Sequence, residues 1–194
     1  DHLPDIERVL GVGIDYGTTN PFAALALAVT RDGRLAVTAE WSHDPKTARR
    51  KLTDADYSRE LRAWMAQRDV GRFVVVDPSA ESFQVQLHRD GVRGVKDADN
   101  SVADGIRMVS SLLATDRLIV HRSCTGLISE IPGYVWDDKA ALKGEDKPVK
   151  TADHRLDALR YAVKTLWPHW RASVPITPWA PPAPQQVRNR LVRA

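Results

Sequence analysis

Short apolar runs and longer amphipathic segments follow one another along this chain, and their order predicts its secondary structure. Residues 9–15, 21–30 and 35–41 are apolar or alternate between apolar and polar, which is typical of β-strands. A hairpin-type turn, Arg31-Asp-Gly-Arg34, separates the last two, so the three strands are expected to form an antiparallel meander. Further strands are predicted over residues 73–76, 92–96 and 117–121.

Apolar residues at helical spacing separate the later strands. The clearest stripe consists of Leu156, Leu159, Val163 and Leu166, and Pro168 is expected to end that helix. A meander followed by alternating helices and strands predicts an α/β fold, a mixed sheet with helices on both faces. The helices are predicted over residues 54–68, 79–88, 100–114, 125–131 and 151–167.

The ends of the chain differ in composition from its centre. Residues 1–8 are expected to be a linker from a preceding domain, and residues 9–170 a single domain. Residues 171–194 contain a proline-rich run and end in arginines, so they are expected to be an extended tail. Residues 132–151 are rich in glycine, proline and charges, which predicts a hairpin or a mobile loop.

Charge and cysteine content exclude several classes of protein. The chain has 194 residues and a formal net charge of +3, all of which comes from Arg188, Arg190 and Arg193 near the C-terminus. The rest of the chain sums to zero, so any contact with nucleic acid must come from a local patch. The lone Cys124 excludes an internal disulfide framework and an all-cysteine zinc site. No apolar run approaches the roughly 20 residues that cross a membrane.

Several carboxylates follow buried elements. Asp15 ends the first predicted strand and Asp77 follows a later one, which places both at the edge where open α/β sheets bind ligands. Asp153 and Asp157 share a face of the last long helix, opposite its apolar stripe, and His154 lies one turn before Asp157. Taken alone, Asp77 is more typical of a turn, and Asp157 and His154 of a solvated helix face, whereas the unusual Gly-Thr-Thr-Asn sequence after Asp15 favours a functional role. Their combination indicates a metal site.

Carboxylate oxygens are the ligands that hard divalent cations prefer. Two such cations about 4 Å apart can stabilise both the attacking and the leaving oxygen of an in-line phosphodiester displacement. Acids at strand ends, together with one acid from a packed helix, would supply the ligands from a rigid frame.

Three motifs carry a resemblance to a known family. They are GIDYGTTNP (13–21), VVVDPSA (74–80) and DHRLDALRYAV (153–163), of which the last is the most specific. With them the chain resembles the nuclease domain of a tailed-phage terminase large subunit, the DNA-packaging motor protein. That resemblance implies an RNase H-like fold and cleavage of double-stranded viral DNA with Mg²⁺ or Mn²⁺.

The resemblance also implies roles for individual residues. Asp15, Asp77 and Asp157 would be the catalytic, metal-binding acids, with Asp15 bridging two divalent cations. His154 matches a position that joins the metal shell in some relatives. Two further residues are candidates for positions beside that shell, Asp153 and Thr18.

Family partners follow from the same resemblance. An ATPase domain is expected upstream in the same polypeptide, and no phosphate-binding G-x-x-x-x-G-K-[ST] motif occurs in this sequence. The portal and the small terminase subunit are expected partners, and the host cytoplasm, at the procapsid portal, is the expected location. The 137–151 segment matches a hairpin beside the cleft, and either DNA contact or a solvated loop fits its lysines. These lysines are Lys139, Lys143, Lys147 and Lys150.

Two alternatives remain open. The segment Gly13–Asn20 also resembles the phosphate loop of actin-like ATPases and Hsp70-like chaperones, which share the core fold but need about twice this length. Another RNase H-like nuclease, such as a junction resolvase, would use the same acids. A metal-dependent cleavage assay distinguishes the ATPase from either nuclease.

Overall fold

Strands and helices alternate in this computed structural model, which describes residues 3–133 and 153–175. In chain order the strands are β1 (Ile6–Asp15), β2 (Phe22–Thr30), β3 (Leu35–His43), β4 (Phe73–Val76), β5 (Val95–Asp97) and β6 (Leu118–Val120). The helices are α1 (Asp54–Ala66), α2 (Glu81–Arg89), α3 (Val102–Ala114), α4 (Thr125–Glu130), α5 (His154–Thr165) and α6 (Trp167–Trp170), with a 3₁₀ turn at Ile131–Gly133.

The strands form one mixed sheet of six, in the order β5-β4-β1-β2-β3-β6. The meander is present, because β1 pairs antiparallel with β2 and β2 pairs antiparallel with β3. The remaining pairings, β1 with β4, β4 with β5 and β3 with β6, are all parallel. The predicted α/β class, a mixed sheet with helices on both faces, is therefore confirmed.

The two faces of the sheet bury different side chains. Strand β2 is buried along its whole length, and its residues alternate between the faces because strand side chains have a period of two. Leu25 and Leu27 point to the face covered by α3 and α5, here called the α5 face. Ala24 and Ala26 point to the opposite face, where α1 and α2 pack through a group of aromatic rings, here called the aromatic face.

Helix α5 lies directly against β1. A methyl group added to Gly13 would overlap the carbonyl oxygen of Ala158 and come within 2.8 Å of the side chain of Ala162. The predicted apolar stripe of α5 is buried, from Leu156 to Leu166. Small residues on both elements therefore bring the helix backbone next to the strand.

The ends of the domain differ from their predicted positions. Strand β1 begins at Ile6, where it pairs with Thr30, so residues 6–8 belong to the sheet and not to the predicted linker. Arg8 also donates hydrogen bonds to the carbonyl of His169 and to the Ser173 side chain. At the other end Val174 is fully buried, so packing continues beyond the predicted boundary at residue 170.

The last predicted helix is shorter at both ends. It spans His154–Thr165, and the chain then begins a separate short helix whose first turn contains Pro168. Proline has no backbone N–H to continue the hydrogen-bond ladder of α5 but fits the start of a new helix.

None of the helices in the described part of the chain is long and apolar enough to span a membrane.

Candidate metal centre

Two of the predicted acids lie side by side at one edge of the sheet. Ile14 and Val76 are partners in the parallel β1–β4 register, and Asp15 and Asp77 are the residues that follow them. Residues in register share a face, so both side chains point to the α5 face. Apolar pairing of the two strands thus places two carboxylates together where the strands end.

Helix α5 adds two more of the predicted residues. His154 Nδ1 lies 2.8 Å from Asp15 Oδ2 and donates a hydrogen bond to it. Asp157, one turn later, is near enough that its charge raises the pKa of Asp15. The close approach of the helix at Gly13 makes this grouping possible, because a larger residue there would displace α5 from the strand.

Each of the other two acids is held by a neighbouring side chain. Asp77 accepts hydrogen bonds from the Tyr161 hydroxyl at 2.7 Å and from the backbone N–H of Ser79 at 2.8 Å. Asp157 accepts from the Arg160 guanidinium at 2.8 and 3.1 Å. Tyr161 therefore links α5 to the end of β4, and its pKa is raised by burial, by its hydrogen bond to Asp77 and by the charges of Asp157 and Asp77.

Sequence reasoning did not assign Tyr161 a role. A signal was present, because Tyr161 is four residues after Asp157 and so lies on the same helix face. Arg160, three residues after Asp157, is almost fully buried at 3% exposure. Its burial is compatible with its charge because Asp157 and the carbonyl of Asn100 accept its hydrogen bonds.

The carboxyl groups differ in their affinity for a proton. Burial raises the pKa of Asp15, and the nearby charge of Asp157 adds to this, although the hydrogen bond from His154 opposes it. The hydrogen bond to Asp15 in turn raises the pKa of His154. Burial would also raise the pKa of Asp77, but the hydrogen bonds from Ser79 and Tyr161 outweigh it and lower that pKa.

The donor set fits a hard divalent cation in its chemistry, because carboxylate oxygens are the ligands that such cations prefer. One oxygen of Asp15 (Oδ1) and one of Asp157 (Oδ2) accept no hydrogen bond from another described residue. Buried carboxylates that repel each other are stabilised by a cation between them. Across residues 3–133 and 153–175, however, no three carboxylate, imidazole or thiol groups converge closely enough to hold an ion as they stand. Binding would thus require small side-chain movements.

The remaining predicted residues lie around this cluster or outside the described ranges. Asp153 is the residue before α5, and its charge also raises the pKa of Asp15. Thr18 is exposed in the turn after β1 and forms no hydrogen bond with the part of the chain that is described. Four further candidates fall outside the described residues: Lys139, Lys143, Lys147 and Lys150.

A buried ionic network, which the sequence did not indicate, holds the start of α5. Glu130 is 8% exposed and accepts hydrogen bonds from the backbone N–H groups of Arg155 and Leu156, at 2.8 and 3.2 Å. The Arg155 guanidinium returns to Glu130 at 2.7 Å. Glu40 accepts in the same way from the first turn of α4. These acids satisfy helix N-termini that have no side-chain cap of their own.

A cavity of about 550 Å³ opens beside the His154 end of the cluster. Helix α5 contributes His154 and Arg155 to its wall. The opposite wall comes from the end of β3 and the loop after it, including Asp44, Thr47 and Ala48. The carboxylate cluster is therefore next to an open space and is not sealed in the core.

Comparisons with known proteins agree on one family. The family described as "Terminase RNaseH-like domain" matches residues 12–166. The large terminase subunit of Escherichia phage T5 is 28% identical over 159 residues, which cover 80% of this chain and 35% of that protein. A solved large terminase from a thermophilic bacteriophage is 36% identical with a TM-score of 0.77, over 84% of this chain and 42% of that one.

A more distant structure shows the same fold at the size of a single domain. The large terminase nuclease of the thermophilic phage G20c, solved with bound magnesium, is 16% identical with a TM-score of 0.60, over 84% of this chain and 91% of that one. By contrast, the present chain spans less than half the length of the phage T5 large terminase and of the solved thermophilic large terminase described above. Its RNase H-like fold and the family match over most of its length lead to one conclusion: the chain belongs to the terminase RNaseH-like domain family.

Proposed function

We propose that this chain is the metal-dependent endonuclease domain of a phage large terminase and cuts concatemeric double-stranded viral DNA. The observation that carries the proposal is the meeting of Asp15 and Asp77, from adjacent parallel strands, with His154 and Asp157 of α5. Family membership supports the same conclusion, and a relative of the same fold was crystallised with magnesium.

The residues divide the work of the site. Asp15, Asp77 and Asp157 would hold two divalent cations, Mg²⁺ or Mn²⁺, with His154 at the edge of the shell. When bound, the cations supply an activated water and stabilise the leaving 3′ oxygen. His154 orients Asp15 by donating to Oδ2 of that carboxyl, which leaves Oδ1 of Asp15 available as a ligand. Tyr161 orients Asp77 through a hydrogen bond to Oδ2 of that carboxyl, whose Oδ1 accepts from the Ser79 N–H.

In the phosphate-loop alternative, Gly13 and Gly17 of the GIDYGTTNP motif would let the backbone approach the phosphates of a nucleotide. In this structure Gly13 lies within β1 and is required by the packing of α5. Gly17 lies in a turn so tight that an added methyl group would come within 2.9 Å of the Pro21 carbonyl. Packing therefore accounts for both glycines without a nucleotide, and an ATPase would leave Asp157 and His154 unused.

Other expectations concern the whole protein. We propose that an ATPase portion of the same polypeptide presents DNA to this domain, because the related large terminases are more than twice as long as their matched region. The portal and the small terminase subunit would be its partners, and the host cytoplasm, at the procapsid portal, its location. Residues 137–151 lie outside the described residues, and we propose that their lysines contact the DNA backbone.

Plasmid cleavage tests the proposal. Supercoiled plasmid is incubated with the chain in Mn²⁺, in Mg²⁺ and in EDTA, and nicked and linear products are measured. We expect cleavage in either metal, none in EDTA, and none by Asp15→Asn, because the amide cannot supply the carboxylate charge that two cations require.

Asp97→Asn is the matched control. Asp97 ends β5 at the same edge of the sheet, but it points to the aromatic face, where Gln84 donates to it at 3.0 Å. This variant should cleave like the parent chain. An Asp15→Asn protein that cleaves equally well would refute the assignment. If no variant cleaves and ATP raises the melting temperature, the phosphate-loop alternative is favoured.

A further inference from the structure

A short cationic loop follows β3 on the far side of the cavity from α5. Residues 44–51, here called the basic loop, contain Lys46, Arg49, Arg50 and Lys51. All four side chains are exposed, and none forms a hydrogen bond or ion pair with another described residue. Exposed cationic side chains that form no such contact with the described residues can bind an external anion.

The backbone of the basic loop is well fixed. Asp44 accepts hydrogen bonds from the Lys46 N–H at 2.9 Å and from the Thr47 hydroxyl at 2.6 Å. Further on, His43 donates from Nε2 to the carbonyl of Arg50 at 2.8 Å. The one acid of the loop is thereby used to shape it, while its four cationic side chains are exposed to solvent.

Arg49 has an unusual backbone conformation for its residue type. Its φ is 52°, in the left-handed region where glycine is favoured. The loop therefore carries a long cationic side chain at a position where local geometry alone would favour none. Strained backbone positions of this kind are enriched at functional sites.

The position of the loop relates it to the carboxylate cluster. Thr47 and Ala48 line the same cavity as His154, whose Nδ1 is 2.8 Å from Asp15. A polyanion that approaches the cluster is repelled by its acids and has to be held from the side. Since the chain outside its last ten residues has no net charge, a local cationic patch is required for that purpose.

We infer that the basic loop binds the phosphate backbone of the DNA duplex and positions one strand in the cavity beside His154. This inference rests on the proposed function, because it names the surface that holds the substrate of that site. Exposed lysine and arginine side chains suit phosphate contacts, which fix the register of a duplex without reading its sequence.

Binding measured without cleavage tests the inference independently of catalysis. A fluorescent duplex of about 20 base pairs is titrated with the full chain in EDTA, at several salt concentrations, and anisotropy is recorded. The test variant is Arg49→Gln with Arg50→Gln. The matched control is Arg89→Gln with Arg93→Gln. These two exposed arginines lie at the end of α2 and before β5, an outer strand that β4, β1 and β2 separate from β3.

Both variants lose two positive charges, so any difference in their DNA affinity comes from where on the surface those charges lie. If both loop arginines contact phosphates, the negative slope of log K against log salt should become less steep by about 1.8, and the affinity should fall by roughly 10- to 100-fold near 0.1 M salt. The control should stay within about twofold of the parent chain. Equal losses in both variants, or no loss in the loop variant, would overturn the inference. Absence of cleavage in the plasmid assay would not overturn it, because DNA binding is measured in EDTA, where no cleavage is expected.

Discussion

The aromatic face and the α5 face of the sheet are built by different means. On the aromatic face, large rings fill the space between the sheet and helices α1 and α2. Phe22 stacks on Tyr57 with ring centres 4.7 Å apart, and Phe83 stacks on Tyr16 at 4.9 Å. On the α5 face small residues bring a helix backbone onto β1, and polar groups gather where that helix begins.

The difference separates stability from chemistry. Aromatic packing fixes the strands, and the Tyr57 hydroxyl also holds the turn after β1 by donating to the carbonyl of Gly17 at 2.9 Å. The α5 face then places charged groups against that fixed edge through networks such as Glu130 with Arg155. Substitutions on the aromatic face should therefore act mainly on unfolding, and substitutions on the α5 face should act on both unfolding and cleavage.

The largest expected loss of stability comes from the aromatic face. Phe83→Ala removes a fully buried ring that contacts three other aromatic rings. We expect the free energy of unfolding to fall by about 3–5 kcal/mol, measured by urea denaturation. The remaining folded protein should still cleave plasmid well below its melting temperature. A complete loss of cleavage by folded Phe83→Ala would contradict the separation of the two faces.

Next in size is the network at the start of α5. Glu130→Ala leaves the Arg155 guanidinium without its closest carboxylate and two backbone N–H groups without an acceptor. We expect a loss of about 3 kcal/mol in unfolding free energy, together with slower cleavage, because His154 and Asp157 lie in the turn that Glu130 caps. Glu130→Gln keeps an acceptor oxygen and should therefore recover part of the unfolding free energy and part of the cleavage rate.

Gly13→Ala should be smaller in energy but selective for cleavage. The added methyl group overlaps the Ala158 carbonyl and forces α5 away from β1. We expect about 1–3 kcal/mol of destabilisation and a large loss of cleavage, since His154 would leave Asp15. Gly91→Ala is the control, because Gly91 has a φ of 76° but nothing within 4 Å of the new methyl group. It should cost about 1 kcal/mol and leave cleavage intact.

The smallest effect is expected at Cys124. The thiol is fully buried, and burial is the main cause that raises its pKa to about 11. A raised pKa means that the thiol stays protonated below that value, so the reactive thiolate is scarce at pH 8. Iodoacetamide should leave Cys124 unmodified in the native chain and should modify it fully in denaturant, with the extent of modification measured by mass spectrometry. Rapid modification of the native chain would contradict its burial.

Local pattern was sufficient to predict the six strands and the first five helices, but not the short helix Trp167–Trp170. Strand alternation and the α5 apolar stripe predicted strands and helices whose ends differ from the observed ones by a few residues. The strand-end positions of Asp15 and Asp77 were visible for the same reason, since they follow directly from where apolar runs stop. Their roles as metal ligands stay predictions until cleavage is measured.

Contacts between distant segments required the tertiary structure. The strand order, the 2.8 Å contact of His154 with Asp15, and the cap that Glu130 provides 25 residues before Arg155 have no local pattern. The basic loop is visible in the sequence as a run of cations, but only the fold places it across a cavity from α5. Periodicity is a property of neighbouring residues, whereas a site depends on which surfaces pack together, and that is decided by the whole chain at once.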